Sequence, residues 1–385
     1  MEQFDDIRPF NDSEVPAAIQ SLLKEEYFRR AMMHITTDPD RFFSDLSEVK
    51  TSDEFQKSML FPFTQGLVGC SSCGLNGIGF ENIDPRKSYT YISNHRDILL
   101  DVTFLGFLLS RHGIPTPEMA LGDNLLVYPW MRDLVRVNKG IIVYRNMPLM
   151  KTHEEAHRLS GYINYTLKEK GHSVWIAQRE GRAKDSDDRT QESVIKMLSF
   201  EGGKDMKSNV MALNIVPVSI SYEYDPCDYL KAREFQLKRD NPDYKKEPKD
   251  DLTSMSTGLL GKKGGICFTI AKPINPEVEK IPCNFSRAEF FSAVAVIMDK
   301  AIHGGYHIYP GNYVACDELS GMHRFADKYT AQDKEKFDAY IKGQLDKITD
   351  LPNPDHCFLR TKMLEMYVNP LINKMKAVNE VNGKK

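Results

Sequence analysis

The sequence contains no apolar run long enough to cross a membrane. Its longest such run, residues 98–109, is interrupted by Asp101 and falls short of the roughly 20 residues that a spanning helix needs. The first residues, MEQFDDIRPFNDSE, are acidic and contain no apolar stretch of the kind that a secretory signal carries. We therefore expect a cytoplasmic protein that contacts membranes, if at all, only at their surface.

Cysteine is sparse and irregularly spaced. The chain has 7 cysteines, and an odd number without regular spacing does not indicate a disulfide framework. Cys70 and Cys73 form one CxxC, but a structural zinc site usually needs a second ligand pair at suitable spacing. The net charge is only −3, so the overall charge does not favour a nucleic-acid partner. The composition thus predicts neither a metal site nor a nucleic-acid interface.

Strand-like and helix-like segments alternate through the middle of the chain. Short apolar runs predict strands at residues 89–93, 140–144, 173–178, 214–222 and 266–270. Helical spacing of apolar residues predicts helices at residues 14–35, 98–109, 124–137, 151–170, 287–302, 331–348 and 359–378. This alternation predicts an α/β fold with a central mixed sheet flanked by helices, and with helical extensions at both ends.

The same pattern divides the chain into three predicted regions. They are a helical N-terminal region over residues 1–80, an α/β domain over residues 81–285 and a helical C-terminal region over residues 286–385. Glycines at positions 66 to 79 predict a loop-rich passage before the first strand. Residues 231–263 are polar, with nine lysines and arginines, and are predicted as a loop with a helix.

The segment YISNHRDILLD, residues 91–101, carries the first chemical signal. His95 follows a predicted strand and precedes an apolar helix, and Asp97 and Asp101 are both available as carboxylate partners. A histidine held by a carboxylate is the usual arrangement for taking a proton from a hydroxyl. The hydroxyl would be that of a substrate, so no nucleophile from the enzyme is required.

Three later segments add cations and a glycine turn. GIIVYR, residues 140–145, is a strand that ends in Arg145, where a guanidinium is well placed to bind a phosphate. WIAQREGRAKDSDD, residues 175–188, leads from a strand into Glu180, Gly181 and Arg182, and the glycine permits a tight turn close to a ligand. NIVPVSISYEY, residues 214–224, is an apolar strand with a proline inside it, which indicates a strand end or a bulge.

Together these four segments resemble the glycerol-phosphate and lysophosphatidate acyltransferase family. That family has four blocks in this order: a histidine and an aspartate separated by four residues, a glycine-led strand ending in arginine, a Glu-Gly pair with an arginine nearby, and an apolar strand with proline. The counterparts in this chain span about residues 90–220, roughly a third of its length. Residues 250–274 are similar to a branch of the family with longer chains.

The resemblance implies an α/β fold in which the histidine and the aspartate lie beside a groove for an acyl chain. It implies His95 as the general base, acyl-CoA or acyl-carrier protein as the donor, and no metal or organic cofactor. It implies a phosphate-bearing glycerolipid acceptor, lysophosphatidate first and glycerol 3-phosphate next, and peripheral contact with the cytoplasmic face of a membrane. The substrate-binding residues would be Asn94, Arg96, Arg145, Glu180, Gly181 and Arg182.

The chain departs from the family pattern at its first block. Five residues separate His95 from Asp101, and Leu100 stands where the family has its aspartate. We favour Asp101 as the partner of His95, with Asp97 as the alternative. The apolar stretches at residues 98–109 and 125–130 are the candidate lining of the acyl groove.

A competing motif lies in the helix predicted at residues 151–170. HEEAH, residues 153–157, matches the H-E-x-x-H pattern of zinc peptidases, in which two histidines hold zinc and a glutamate is the base. The sequence around both histidines is polar, whereas a zinc site needs a sheltered helix face and a third ligand. A solvated helix face is the simpler interpretation. A zinc-dependent hydrolase and a non-catalytic lipid-binding protein remain the alternative functions.

Overall fold

A computed structural model describes residues 2–145, 147–203 and 205–382 of the chain. In this part, seven strands form one sheet in the order β1-β7-β6-β2-β5-β3-β4. All neighbouring strands pair in parallel except β6 and β7, which are antiparallel. The sheet is therefore mixed, as predicted. The strands are β1 (Ser72–Ile78), β2 (Thr90–Ser93), β3 (Glu118–Gly122), β4 (Gly140–Val143), β5 (Val174–Ala177), β6 (Ile215–Tyr222) and β7 (Gly264–Ile270).

Helices surround the sheet and extend the chain at both ends, which confirms the predicted α/β class. Before and between the strands they are α1 (Val15–Lys24), α2 (Glu26–Ile35), α3 (Pro39–Ser47), α4 (Ser52–Glu54), α5 (Phe61–Ser71), α6 (Leu100–Arg111), α7 (Pro129–Val137), α8 (Leu149–Lys168), α9 (Glu192–Leu198), α10 (Met206–Ala212), α11 (Asp228–Asp240) and α12 (Pro248–Leu260). After the last strand they are α13 (Asn275–Glu279), α14 (Arg287–Gly304), α15 (Pro310–Ser320), α16 (Ala331–Leu345) and α17 (His356–Asn382).

The central strands are buried on both faces. Every residue of β2 and β6 is buried, which explains why these segments read as continuous apolar runs rather than as an alternation. On β6, Ile215 packs into the core formed with α8, α9 and α14. Val216 and Val218 pack into the opposite core, formed with α5 and α6. These two cores fix the register of the strands that carry the candidate site.

Two further cores lie beyond the sheet. Helices α11, α15, α16 and α17 enclose one of them around Phe337 and Met363. Helices α1 to α3 and α7 enclose the other around Phe28 and Trp130. The sheet itself begins with β1 before residue 81, and α14 packs on β6 from beyond residue 286. The division of the chain into three regions stays a prediction.

The sequence predictions of secondary structure were wrong or incomplete in several places. Most of the glycine-rich passage at residues 66–79 forms the end of α5 and β1 rather than a loop. Gly66 and Gly69 lie within α5, where a Cβ atom would meet nothing within 4 Å. Strand β3 was not predicted. It begins with the buried carboxylate of Glu118, which accepts a hydrogen bond from the Tyr162 hydroxyl at 2.7 Å and pairs with Lys170.

Within the described residues, no helix has both the length and the apolar character that a membrane-spanning helix requires.

Asp228 joins the helices that follow β6. Its side chain is completely buried at the start of α11, where it accepts hydrogen bonds from Tyr367 at 2.7 Å and from Gln344 at 2.5 Å. These contacts connect α11 to α17 and α16. Burial, and then the charge of Asp225, raise the pKa of Asp228 to about 7.

We expect the substitution Asp228→Asn to flatten the pH dependence of stability. The folded-state pKa lies above the ordinary 3.8, so the folded protein keeps a proton that the unfolded chain releases, and this group's contribution to stability falls as the pH rises from about 4 towards 7. Between pH 5 and 7.5 the wild type should lose about 2 kcal/mol more unfolding free energy than the variant. Urea unfolding followed by circular dichroism measures this difference, and equal losses would contradict it.

Candidate functional site

A cavity of about 920 Å³ opens at the carboxyl ends of the parallel strands β2, β5, β3 and β4. In open α/β sheets, loops that leave this edge carry the ligand-binding residues. His95 comes from the loop after β2, Glu180 and Arg182 from the loop after β5, and Arg145 from the loop after β4. All four line this one cavity, so the sheet topology brings together three of the segments that the sequence singled out.

His95 and Asp101 form a hydrogen-bonded pair at the edge of the cavity. Nδ1 of His95 lies 2.8 Å from Oδ2 of Asp101, which is 1% exposed. An ionised carboxylate only accepts hydrogen bonds, so Nδ1 carries the hydrogen and Nε2 is left to accept a proton. The His95 ring also lies edge-to-face against Trp175. The arrangement orients the imidazole through Nδ1 and leaves Nε2 as the nitrogen available to a substrate.

The carboxylates of Asp97 and Asp101 stabilise the turn between His95 and α6. Besides His95, Oδ2 of Asp101 accepts hydrogen bonds from the backbone N–H groups of Arg96 and Asp97, at 2.6 and 3.1 Å. Oδ1 of Asp97 accepts from the N–H groups of Leu99 and Leu100, both at 2.9 Å, where α6 begins. Asp97 therefore satisfies donors at the helix N-terminus, and Asp101, not Asp97, contacts the imidazole.

Asn94 faces the sheet rather than a substrate. Its amide exchanges two hydrogen bonds with the backbone of Ile220, donating to the carbonyl at 2.9 Å and accepting from the N–H at 2.8 Å. The residue is fully buried. It extends the pairing of β2 with β6 by one residue and so holds the position of His95. The prediction that Asn94 binds substrate is corrected to this structural role.

Arg96 is also directed away from the cavity. Its guanidinium pairs with Asp188 at 2.8 Å, and both side chains are buried. Tyr306 donates a hydrogen bond to the same carboxylate at 2.8 Å. Burial opposes the charged form of Arg96. The negative charge of Asp188, together with smaller contributions from nearby groups, nevertheless raises the pKa of Arg96. The pair connects the turn after β2 to the loop between β5 and α9, and Tyr306 links that loop to the segment before α15. The predicted role of Arg96 in substrate binding is therefore corrected as well.

Arg145, Glu180 and Gly181 lie at the rim of the cavity. The guanidinium of Arg145 is 3.3 Å from the Glu180 carboxylate, and the Glu180 side chain is 70% exposed. Gly181 has a φ of +66°, in the left-handed region that favours glycine. This backbone turn directs the chain from β5 back across the cavity mouth, so that Arg182 reaches the cavity as well.

Arg179 and Arg182 carry guanidinium nitrogens that nothing in the described structure satisfies. Nε of Arg179 and Nη1 of Arg182 are buried and have no hydrogen-bond partner, and both side chains line the cavity. Unpaired buried donors cost free energy unless a ligand or water satisfies them. The two arginines are therefore suited to an anionic ligand.

Most of the apolar residues that form the cavity walls were not predicted from the sequence. Of the stretches predicted to line an acyl groove, Ile98 and Leu125 line the cavity, whereas most apolar residues of α6 pack into the core beneath the sheet. The walls are instead formed by β3, β4, β5, α8 and α9, and by one residue near the N-terminus, and include Ile7, Ala120, Leu121, Ile142, Val143, Leu159, Ile176, Ala177, Val194 and Met197. No single sequence motif marks them, because they are scattered over half the chain.

The polar segment at residues 231–263 covers one side of the cavity. It forms most of α11 and α12 rather than a loop with one helix. Lys231, Glu234, Lys246 and Asp251 line the cavity from this segment, together with Lys184 from the loop after β5. The nine lysines and arginines of this segment are the feature of the sequence by which this side of the cavity could have been found.

The two histidines of HEEAH stack on an aromatic ring. His157 lies 4.5 Å and His153 5.7 Å from the ring of Phe200, measured between centroids. Nδ1 of His157 lies 3.6 Å from the Glu201 carboxylate. In the described part of the chain, no three His, Cys, Asp or Glu side chains group in a way that could hold a metal ion. Stacking and one ion pair account for these residues.

Comparison with known proteins agrees with the geometry of the site. The model of the acyltransferase family matches residues 75–221, the span from β1 to β6 that holds His95, Asp101, Arg145 and Arg182. A search of curated proteins finds no match. Among solved structures, the chain is similar to the 1-acyl-sn-glycerophosphate (LPA) acyltransferase PlsC from Thermotoga maritima, with 14% identity and a TM-score of 0.35 over 74% of this chain and 92% of that one. The family match over residues 75–221 agrees with the acyltransferase resemblance that the four sequence segments predicted.

Proposed function

We propose that the protein transfers a fatty acyl group from a thioester, acyl-CoA or acyl-carrier protein, to a hydroxyl of a phosphate-bearing glycerolipid in phospholipid biosynthesis. Lysophosphatidate is the first candidate acceptor and glycerol 3-phosphate the second. The observation that carries this proposal is the position of the His95–Asp101 pair at a cavity with two kinds of surface. The cavity has apolar walls, and Arg179 and Arg182 each bring a buried guanidinium nitrogen that has no hydrogen-bond partner among the described residues. A long acyl chain and a phosphate need these two surfaces together.

In the proposed reaction His95 acts as the general base. Nε2 takes the proton from the acceptor hydroxyl as its oxygen forms a bond to the thioester carbonyl carbon. The resulting tetrahedral intermediate collapses with cleavage of the C–S bond, and the imidazolium returns its proton to the leaving thiolate. Asp101 stabilises the imidazolium through its 2.8 Å contact with Nδ1. An ester and a free thiol result, with no enzyme-bound acyl group.

The acceptor phosphate would bind Arg145 and Arg182, beside the Gly181 turn. Guanidinium groups match phosphate oxygens in geometry and charge, and Nη1 of Arg182 has no protein partner in the described structure. Glu180, which lies 3.3 Å from Arg145, would orient that guanidinium. Fixing the phosphate would place the acceptor hydroxyl near Nε2, which turns a bimolecular encounter into an oriented reaction.

A lipid acceptor and a lipid product require access to a membrane surface. We propose that the protein works as a peripheral protein on the cytoplasmic face of a membrane, with the cavity mouth near the lipid. Two exposed apolar side chains close to the cavity, Val127 and Tyr128, follow the 3-10 turn that contributes Leu125 to its wall. Such exposed side chains are suited to contact with the headgroup region.

The helix α12 packs directly on the turn that positions His95. A Cβ atom at Gly258 would overlap Oδ2 of Asp97, while Oδ1 of the same carboxylate is held by two backbone N–H groups. The carboxylate is buried, and the two hydrogen bonds to Oδ1 oppose its movement away from a Cβ atom. The glycine is therefore required for α12 to approach the turn, and the position of His95 depends on this contact.

Replacement of His95 or Asp101 should slow the chemical step strongly and have little effect on folding. We expect His95→Ala and Asp101→Asn to lower kcat by roughly 10²–10⁴-fold, because the first removes the base and the second removes the charge that stabilises the imidazolium. Thiol release from palmitoyl-CoA and palmitoyl-carrier protein, with lysophosphatidate or glycerol 3-phosphate, measures the effect. His153→Ala, in a residue that lines the same cavity, is the control and should keep full activity. Loss in the control together with retention in His95→Ala would favour the zinc hypothesis instead.

Replacement of Arg182 should weaken acceptor binding through its phosphate. We expect Arg182→Met to raise the KM for the phosphorylated acceptor roughly tenfold to hundredfold, because a charge-assisted contact is lost. Transfer to monoacylglycerol, which lacks the phosphate, should be slow in the wild type and no slower in the variant. An equal loss with both acceptors would show that Arg182 does not recognise the phosphate.

The substitution Gly258→Ala should damage activity from outside the cavity. The new methyl group would push Asp97 and the turn away, and we expect a kcat roughly 10–100-fold lower with a loss of about 1–3 kcal/mol in unfolding free energy. Gly343→Ala is the matched control, because a Cβ at this helical glycine of α16 meets nothing within 4 Å. An unchanged kcat in Gly258→Ala would contradict the proposed dependence of His95 on α12.

A further inference from the structure

A second group of cations lines the cavity on the side covered by α11 and α12. We call Lys184, Lys231 and Lys246 the lysine cluster; all three line the cavity. Lys184 contacts Glu234, Lys231 contacts Asp225 and Lys246 contacts Asp251. These contacts hold the ammonium groups in place inside the protein, in contrast to lysines that extend freely into solvent.

The positive charge in this region exceeds its counter-charge. Lys238 contacts the same Glu234 carboxylate as Lys184, at 2.9 Å, so four lysines share three carboxylates. Arg182, with its unpartnered Nη1, adds a fifth cation beside them. Burial, and then the charges of Lys238 and Lys246, lower the pKa of Lys184. The lysines and Arg182 therefore outnumber the three carboxylates that the lysines contact, and a surplus of cations around an open cavity suits a phosphate.

Lys246 of the lysine cluster lies away from the catalytic turn along α12. It contacts Asp251, which precedes Gly258 by seven residues, or about 10 Å of helix, and Gly258 is the residue of α12 that packs on Asp97. Burial and Asp101 raise the pKa of Asp97, and the charge of Arg182 opposes this shift, so Arg182 lies close to the catalytic turn. Arg182 in turn acts on the pKa of Lys184, together with Lys238 and Lys246. Arg182 thus acts on the catalytic turn itself, whereas Lys246 lies near the other end of α12.

The two substrates of an acyl transfer carry their phosphates at different distances from the reacting atoms. In a glycerolipid acceptor only a glycerol backbone separates the hydroxyl from the phosphate. In the donor a whole pantetheine arm separates the thioester from its phosphate, whether the arm belongs to coenzyme A or to a carrier protein. The near cation therefore suits the acceptor phosphate and the distant lysines suit the donor phosphate.

We propose, on the basis of the function proposed above, that the lysine cluster binds the phosphate at the end of the phosphopantetheine arm of the acyl donor. Lys184 and Lys246 contact the phosphate oxygens. Lys231, which is buried against Asp225, holds that side of the site together. The α11–α12 segment then serves as the donor-binding wall of the cavity, opposite the strand ends that bind the acceptor.

The test compares donors with and without the phosphate. Transfer rates are measured with palmitoyl-CoA, palmitoyl-carrier protein and palmitoyl-pantetheine for the wild type, Lys184→Met and Lys246→Met. We expect each substitution to raise the KM for palmitoyl-CoA and palmitoyl-carrier protein roughly tenfold or more, and to leave the KM for palmitoyl-pantetheine and for the acceptor unchanged. Lys249→Met is the control, because this lysine of α12 is 75% exposed and should matter for no donor.

Each other outcome identifies a different error. An equal rise in KM with palmitoyl-pantetheine would overturn the proposal, because the lysines would then act without the phosphate. A rise in the acceptor KM alone would assign the cluster to the acceptor instead. A rise with palmitoyl-CoA but not with palmitoyl-carrier protein or palmitoyl-3′-dephospho-CoA would assign it to the 3′-phosphate of coenzyme A, which also overturns the proposal. An effect of Lys249→Met equal to that of Lys184→Met would indicate a diffuse charge effect rather than a site.

A binding measurement separates this proposal from the proposed function. Titration calorimetry with coenzyme A and with pantetheine needs no catalysis. If no donor and acceptor react with the wild type, but coenzyme A binds and Lys184→Met weakens its binding roughly tenfold or more, the function fails and the lysine site stands. If transfer occurs, but coenzyme A binds no more tightly than pantetheine, the function stands and the lysine site fails.

Discussion

The candidate site depends on one buried carboxylate. Oδ2 of Asp101 receives three hydrogen bonds, one from the His95 ring and two from the backbone of the turn. The same atom therefore fixes the orientation of the imidazole and the path of the chain that carries it. Such a carboxylate in a low-dielectric site is costly unless donors satisfy it; the turn and the imidazole provide them for Oδ2, while Oδ1 has no hydrogen-bond partner among the described residues. Because the donors come from consecutive residues, the loop and the catalytic geometry form as one unit.

The rest of the molecule is arranged around this unit. The Asn94 amide fixes the end of β2 to β6, the Arg96–Asp188 pair fixes the turn to the loop between β5 and α9, and Gly258 allows α12 to pack against the turn. None of these three groups faces the substrate cavity, yet each limits the movement of His95. A general base needs a position defined within fractions of an ångström, so the polar residues buried behind the histidine contribute as much to the site as those that face it.

The sequence predicted the strands and the order of the chemical segments more reliably than the roles of single residues. The apolar runs at β2, β5, β6 and β7 stand out because strands buried on both faces read as continuous hydrophobic segments. In contrast, β3 begins with Glu118, whose charge is balanced by Lys170, just after the end of α8. No local pattern contains that information. The motif around His95 likewise did not distinguish residues that face the cavity from Asn94 and Arg96, because adjacent side chains in a turn point in different directions.

The residues that line the cavity could not be predicted from local sequence patterns either. Its apolar walls combine Ile7, Leu121, Ile142 and Leu159, which come from separate elements and meet only because the sheet order places β3, β4 and β5 side by side. The basic segment at residues 231–263 was visible as a charge pattern, but only the paired helices α11 and α12 show that some of its lysines face inward. Charge composition identifies a segment, whereas the fold decides which of its charges a ligand can reach.

The five-residue spacing between His95 and Asp101 has a structural explanation in the start of α6. Leu100 is the first residue of the helix and packs into the core beneath the sheet, with 2% of its surface exposed. An aspartate at that position would bury a charge among apolar side chains, at a cost of several kcal/mol. Because Asp97 caps the helix start, the turn accommodates the additional residue before α6 begins. The next helical position then faces the imidazole, so the shift of one residue preserves the contact by which Asp101 holds His95.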